Sequence, residues 1–286
     1  METGIVEPST LTDLIPNCLT YEKILQNTDQ VQCFANNLDD KCSDFWTSIK
    51  FLQSKDIEAK FPNETPFFVW EAGKTEFKNC LCEIMATDLL PENVFYSEQE
   101  ILDFNTKADL AVTLFKETLP TLFKAFQKVC PFILIGRRDG YGGGSVSTRI
   151  GFIWLSPTLD WTTNDWAENL IHEFIHNCLF LEDLVDNIFP FSALEMEKED
   201  GLAISAIRQV KRAYDKSYHS AFVAYGIIEF YLRIGHNDGA RKLLNPLLVC
   251  LDDLSQNFKY LSKNGEHNLD QLIRTVVGQS KRLEKI

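Results

Sequence analysis

The chain has 286 residues, of which 45% are hydrophobic, 12% aromatic and 24% charged. That is enough to bury a large core, and it excludes a disordered tail, a collagen-like fibre or a disulfide-stapled miniprotein. The 28 Lys and Arg against 41 Asp and Glu leave a formal charge of -13, which opposes phosphate backbones and anionic lipid, so neither nucleic acid nor a membrane surface is an expected partner.

Met1 to Glu7 offers neither a basic segment nor an apolar run of signal-peptide length. The longest apolar stretches, such as Ala221 to Ile228, are broken by Glu229 and Arg233 well short of the ~20 residues that span a bilayer. A cytoplasmic protein without transmembrane helices is the expectation. Eight scattered cysteines then read as reduced thiols. Cys80-Leu81-Cys82 is a C-x-C pair with no second pair near it, which makes idle thiols a better account than a metal site.

Hydrophobic periodicity predicts helices over Tyr21 to Asn36, Ser43 to Gln53 and Glu98 to Val129, with a short strand at Phe67 to Trp70. Residues 1–130 form a mostly helical region without chemistry-bearing patterns, suited to scaffold or peptide recognition. Residues 131–286 carry the candidate catalytic region, the whole reading as one integrated domain. Pro131 to Gly136 and Ile150 to Leu155 are rich in β-branched and aromatic residues and predict two strands. The Gly140 to Gly144 segment between them matches neither a P-loop nor a dinucleotide fingerprint, and reads as a hairpin connection or a flap.

Beyond Pro157 helices are expected over Asn164 to Phe180, Glu195 to Val210, Tyr218 to Ile234, Gly239 to Leu261 and Asn268 to Leu283. The first of these contains His172-Glu173-Phe174-Ile175-His176, an H-E-x-x-H motif. Residues four apart share a helix face, so both imidazoles can reach one ion with Glu173 beside them. A third ligand is needed. Glu195 lies at the spacing of gluzincin aminopeptidases, but it sits among four carboxylates in six residues and reads better as a solvated helix start. His219 opens a nearly all-apolar segment, where a lone polar side chain needs a partner. His236 and His267 read as loop residues.

His172-Glu173-x-x-His176, Ser205-Ala206-Ile207-Arg208, Arg212 and His219-Ser220-Ala221-Phe222-Val223 together resemble the HExxH-type α-ketoglutarate-dependent peptide β-hydroxylases, also described as HExxH-motif peptide-modification proteins. The resemblance covers about a fifth of the chain, and Ala213 stands where that pattern has proline. It implies Fe(II) held by His172, His176 and His219, with Glu173 orienting a ligand or relaying a proton. It also implies α-ketoglutarate bound through Arg208 or Arg212, which fall on one face if their segment is helical, with Arg149 in reserve. The substrate would be a peptide made by the same cell, hydroxylated at a β-carbon, with the net acidic chain favouring a neutral or basic peptide at long range. Two further readings stay open: a zinc metallopeptidase with Glu173 as general base, and a non-enzymatic metal-stabilised binding or maturation protein. The fold class expected is mainly α with a small β-sheet, α+β, and zincin-like around the H-E-x-x-H helix.

Overall fold

The computed structural model describes residues 16–54 and 59–283. Helices α1 (Tyr21–Leu38) and α2 (Phe45–Leu52) precede strand β1 (Phe67–Val69) and the short α3 (Lys78–Ile84). The expected Glu98 to Val129 helix is two: α4 (Glu98–Thr118) and α5 (Pro120–Val129). The break is chemical, since Pro120 has no N–H to donate and drives the preceding Leu119 out of helical geometry, to φ -131 and ψ 59. Proline then serves as the first residue of α5, where a missing donor costs nothing.

Strands β2 (Phe132–Ile135), β3 (Gly143–Gly144) and β4 (Phe152–Leu155) complete a four-stranded sheet in the order β1-β2-β4-β3. β1 pairs parallel to β2, and β2 parallel to β4 with Phe132 opposite Phe152. The Gly140 to Gly144 segment is therefore no hairpin connection between those strands. It carries β3, which returns antiparallel along the outer side of β4. Every residue of β2 and β4 is buried, as befits parallel strands covered on both faces. A methyl on Gly143 would lie 2.6 Å from the Trp154 carbonyl oxygen and 3.6 Å from Glu173 Cγ, so glycine lets this strand lie close to both β4 and the next helix.

That helix, α6 (Thr163–Asp186), starts at a capping box in which the Thr162 amide donates to Asp165 and the Asp165 amide to the Thr162 hydroxyl. It ends on Asn187 in the left-handed region at φ 49. Asn177 stitches it to the sheet: its amide group donates to the Phe152 carbonyl at 3.3 Å, and its oxygen accepts from the Gly151 amide at 2.8 Å.

The predicted Glu195 to Val210 helix is a second correction. After the single turn α7 (Ala193–Met196), the chain forms the hairpin β5 (Leu202–Ile204) and β6 (Lys211–Ala213), with Ala203 opposite Arg212. The acidic run lacked an apolar stripe, and the pairing depends on clips supplied from elsewhere: Ser217 donates to the Ala203 carbonyl at 2.6 Å, and Ser220 accepts from the Ala206 amide at 2.9 Å. Both serines lie on α8 (Tyr214–Arg233), which runs through the core with every residue from Ser217 to Phe230 buried. Helices α9 (Asn237–Ser255) and α10 (Lys263–Leu283) close the fold. The protein is thus mainly helical with a small mixed sheet, α+β, and among the described residues no helix is long and apolar enough to cross a membrane.

α8 meets α6 at Gly226. A methyl built there would overlap Ile175 Cδ1, so the two helices approach as closely as a missing side chain permits. Gly226→Ala is expected to lower stability by about 1–3 kcal/mol through overpacking. Combining it with Ile175→Val, which removes the offending methyl, should recover part of that loss in a denaturant titration. Additive losses in the double variant would show that this contact does not set the helix approach.

Candidate functional site

The close approach of α6 and α8 brings the three sequence-predicted histidines into one cluster. His172 and His176, one turn apart on α6, have ring centroids 5.2 Å apart, and His176 faces His219 of α8 at 5.3 Å with the planes within 21°. The His176 and His219 Nδ1 atoms are 3.1 Å apart. Two ligands side by side on an ion at ~2.1 Å stand about 3.0–3.4 Å from each other, so this pair is at a spacing that a metal accepts as readily as a hydrogen bond does. As the rings are turned here, no group of three or more His, Cys, Asp or Glu is in metal-holding geometry among the described residues.

Burial sets the charge state. It pushes His219 down to about 3, and together with the charge of Arg208 it pushes His172 down to about 4. His176 is lowered well below its usual value, first by burial and then by its neighbours His172, His219 and Arg212. All three rings are neutral at pH 7, with lone pairs available, which is the form that binds a metal. Glu173 is 5% exposed and burial raises its carboxyl to about 7, opposed by a 2.8 Å hydrogen bond from the Ser145 hydroxyl, just past β3. Its other oxygen lies 3.9 Å from His172 Nε2. Phe180, one turn beyond His176, packs at 4.9 Å from the His219 ring, and Phe189 stacks on that ring at 6.0 Å. Half-buried aromatic rings thus wall the cluster.

Arg208 and Arg212 arrive by an unexpected route. They share no helix face: Arg208 is exposed in the turn of the β5–β6 hairpin, and Arg212 is half-buried on β6. The hairpin is clipped to α8 on either side of His219, through Ser217 and Ser220, and the charges of Arg208 and Arg212 are felt at His172 and His176 respectively. Among the described residues neither guanidinium has a carboxylate partner, while Glu197 pairs with Lys216 and Asp200 with Lys259, each at 2.8 Å.

The remaining candidates fall away from the cluster. Glu195 is exposed and completes a capping box with Ser192, whose hydroxyl and amide hold its carboxyl below the ordinary range. Arg149 is buried against Glu83, with Nε 2.6 Å from the carboxylate. Cys80 is buried and Cys82 half-buried, in no metal-holding group among the described residues. His236 precedes α9 with its ring edge-on to Tyr231 at 4.8 Å. His267 is not in a loop but on α10, beside Gln271 at 2.9 Å. Ser145, Phe189 and the two clipping serines escaped the sequence reading, whereas Phe180, four residues past His176, was there to be found from helical spacing.

No protein-family model matches the chain, and no curated protein matches it.

The depressed histidines have a consequence for stability. Between about 4 and the ordinary 6.5 the unfolded rings bind protons that the folded ones refuse, so the folded state of the metal-free protein loses stability as pH falls through that window. Glu173 acts in the opposite sense between its ordinary 4.5 and about 7, where the folded carboxyl holds the proton more tightly, and so do Glu168, Glu182, Asp183 and Asp215, whose carboxyls burial also raises, so the histidine contribution is read from the difference between the wild type and a histidine variant. Between pH 6.5 and 4 the denaturant midpoint of His172→Gln should therefore fall less, or rise more, than that of the wild type. Equal slopes for the variant and the wild type would refute the assignment.

Proposed function

We propose that the protein is an Fe(II)- and α-ketoglutarate-dependent oxygenase that hydroxylates the β-carbon of a residue in a peptide. The observation that supports this reading is the contact of His176 with His219, Nδ1 atoms 3.1 Å apart, next to His172 on the same helix, with the charges of Arg208 and Arg212, which have no carboxylate partner among the described residues, acting on His172 and His176. Hydrolysis of an internal peptide bond does not call for two guanidinium groups at the metal. A dicarboxylate cosubstrate does call for a fork at its remote end. His172, His176 and His219 would hold the ion, since neutral imidazole binds ferrous iron and three protein ligands on one side leave positions for other groups. When bound, Fe(II) with α-ketoglutarate and O₂ supplies the oxidising chemistry.

The chain's own residues then have separable tasks. The aromatic walls of Phe180 and Phe189 exclude water from the His219 side. Glu173, oriented by the Ser145 hydroxyl, holds or passes a proton at the oxygen facing His172. β3 ends the sheet order beside Glu173, and such a strand suits main-chain pairing with an extended peptide.

The second reading, a zinc metallopeptidase, is favoured by one specific feature. A buried carboxyl near pH 7 next to the histidines has the proton affinity of a general base for water.

Two measurements separate these readings. Metal analysis after anaerobic purification should find iron retained by the wild type and lost, in folded protein, from the Ala variants of His172, His176 and His219, with Glu195→Ala unaffected. Metal kept by His219→Ala but lost from Glu195→Ala would overturn the ligand set. Incubation with candidate peptides should give a mass gain of about 16 Da that depends on α-ketoglutarate and is matched by succinate, with Glu173→Gln retaining part of it. Cleaved peptide without a mass gain, abolished by Glu173→Gln, would establish the peptidase instead.

A further inference from the structure

The outer side of β3 is an open main-chain edge beside Glu173. β3 ends the sheet order, and its neighbour in the sheet is β4. The Gly142 carbonyl accepts from the Ser156 amide at 2.8 Å, and Gly144 stands opposite Trp154. Alternation along an antiparallel strand then directs Gly142 and Gly144 to β4 and turns the N–H and C=O of Gly143 and Ser145 outwards. Those outward groups have no hydrogen-bond partner among the described residues, and residues 142–146 are half-buried. Main-chain groups in that setting favour a partner of their own kind.

Side chains alternate in the same way. A methyl on Gly143 would lie 3.6 Å from Glu173 Cγ, and the Ser145 hydroxyl donates to the Glu173 carboxylate at 2.8 Å. A methyl on Gly144 would point the other way, 3.2 Å from the Trp154 ring and 3.8 Å from Ile84 Cγ2. The two residues whose main chain is open are thus the two that face α6. Residues directly opposite one another in an antiparallel pair project their side chains to the same face. A chain laid along β3 would therefore present to Glu173 those of its residues that exchange hydrogen bonds with Gly143 and Ser145.

We propose that an extended segment of the substrate peptide adds antiparallel to β3 as a fifth strand, and that the residue to be modified is one whose own N–H and C=O are bonded to Gly143 or Ser145. This rests on the reading of the protein as one that acts on a peptide, and it gives that peptide a register. The occupant is a peptide and not a second copy of this chain, because two molecules of formal charge -13 repel. Two open residues are also too short an edge to hold two folded molecules together.

The test reads binding first. A labelled nonapeptide, selected on the wild type from a random displayed library, is remade with each amide in turn N-methylated. Affinity should fall about 10-fold or more at two positions two residues apart, where the lost N–H faced β3, and stay within about 2-fold at the position between them. Amide exchange of Gly143 and Ser145 should slow about 10-fold or more when the unmethylated peptide binds. Ser145→Pro, which removes an outward N–H, should weaken binding as methylation does, and Ser145→Ala, which keeps it, should not; thermal melting checks that both fold. With Fe(II) and α-ketoglutarate present, fragmentation should place a mass gain of ~16 Da on a residue of the methylation-sensitive set. Equal tolerance at every amide, a modified residue from the tolerant set, unchanged exchange at Gly143 and Ser145, failure to select any peptide, or a dimer in sedimentation that Ser145→Pro dissolves would each overturn the proposal. Alternating sensitivity without a mass gain would remove the oxygenase reading and leave the pairing standing.

Discussion

The approach of α6 to α8 through the missing side chain of Gly226 governs everything that could be chemical in this protein. Ile175 occupies the space that any other residue at 226 would claim, and it lies between Glu173 and His176 in sequence. The helix separation is thus set inside the motif itself. At that separation His176 reaches His219, Phe180 covers the pair, and the serines flanking His219 are free to reach out and hold the hairpin. A wider spacing would part His219 from the pair on α6 and leave its buried ring without them.

The same burial produces two opposite electrostatic outcomes within one turn of helix. Imidazoles lose their proton because the cation is the form that suffers from low polarity, and the Glu173 carboxyl keeps its proton because the anion does. The imidazoles are consequently uncharged, and the charges of two guanidinium groups on the hairpin act on them. Separating the neutral donors on rigid helices from the cations on a short ribbon lets each be placed independently, a division that suits a ligand with one end for each.

Much of this was legible in the sequence, and the misses share a cause. α1, α2, β1, β2, β4 and α6 follow from periodicity and apolar runs that are local in the chain. The H-E-x-x-H spacing put His172 and His176 on one helix face, and it was the resemblance that joined to them His219, one of two candidates left open by the residues themselves. The hairpin was missed because its stability is supplied by hydroxyl groups of Ser217 and Ser220, non-local partners that no window over 195–213 contains. The parallel pairing of β2 with β4 was hidden for the same reason: nothing in Gly140 to Gly144 shows that the chain runs back along the far side of β4 before that strand is complete. The proline break at 120 had a local signal, and there the α-helical periodicity on both sides outweighed it in the reading. Arg208 and Arg212, expected on one helix face, stand instead on the β5–β6 hairpin, Arg208 in its turn and Arg212 on β6.

Asn177 deserves its place beside the motif residues for what it prevents. One amide side chain bonds the carbonyl of Phe152 and the N–H of Gly151, reading two successive backbone units of the sheet from a single point on α6. Gly151 meets it in a left-handed conformation, at φ 96, a geometry that few other residues would adopt there. A slide of the helix by even one residue along the strand would lose both bonds at once, so intermediate positions have no compensating partner. The helix is indexed to the sheet like a key to a ward, and small sliding adjustments, common where helices rest on sheets through apolar contacts alone, are closed to it. Any opening of the site has to come from the segments around α6, the edge strand and the hairpin, while the histidine helix stays still.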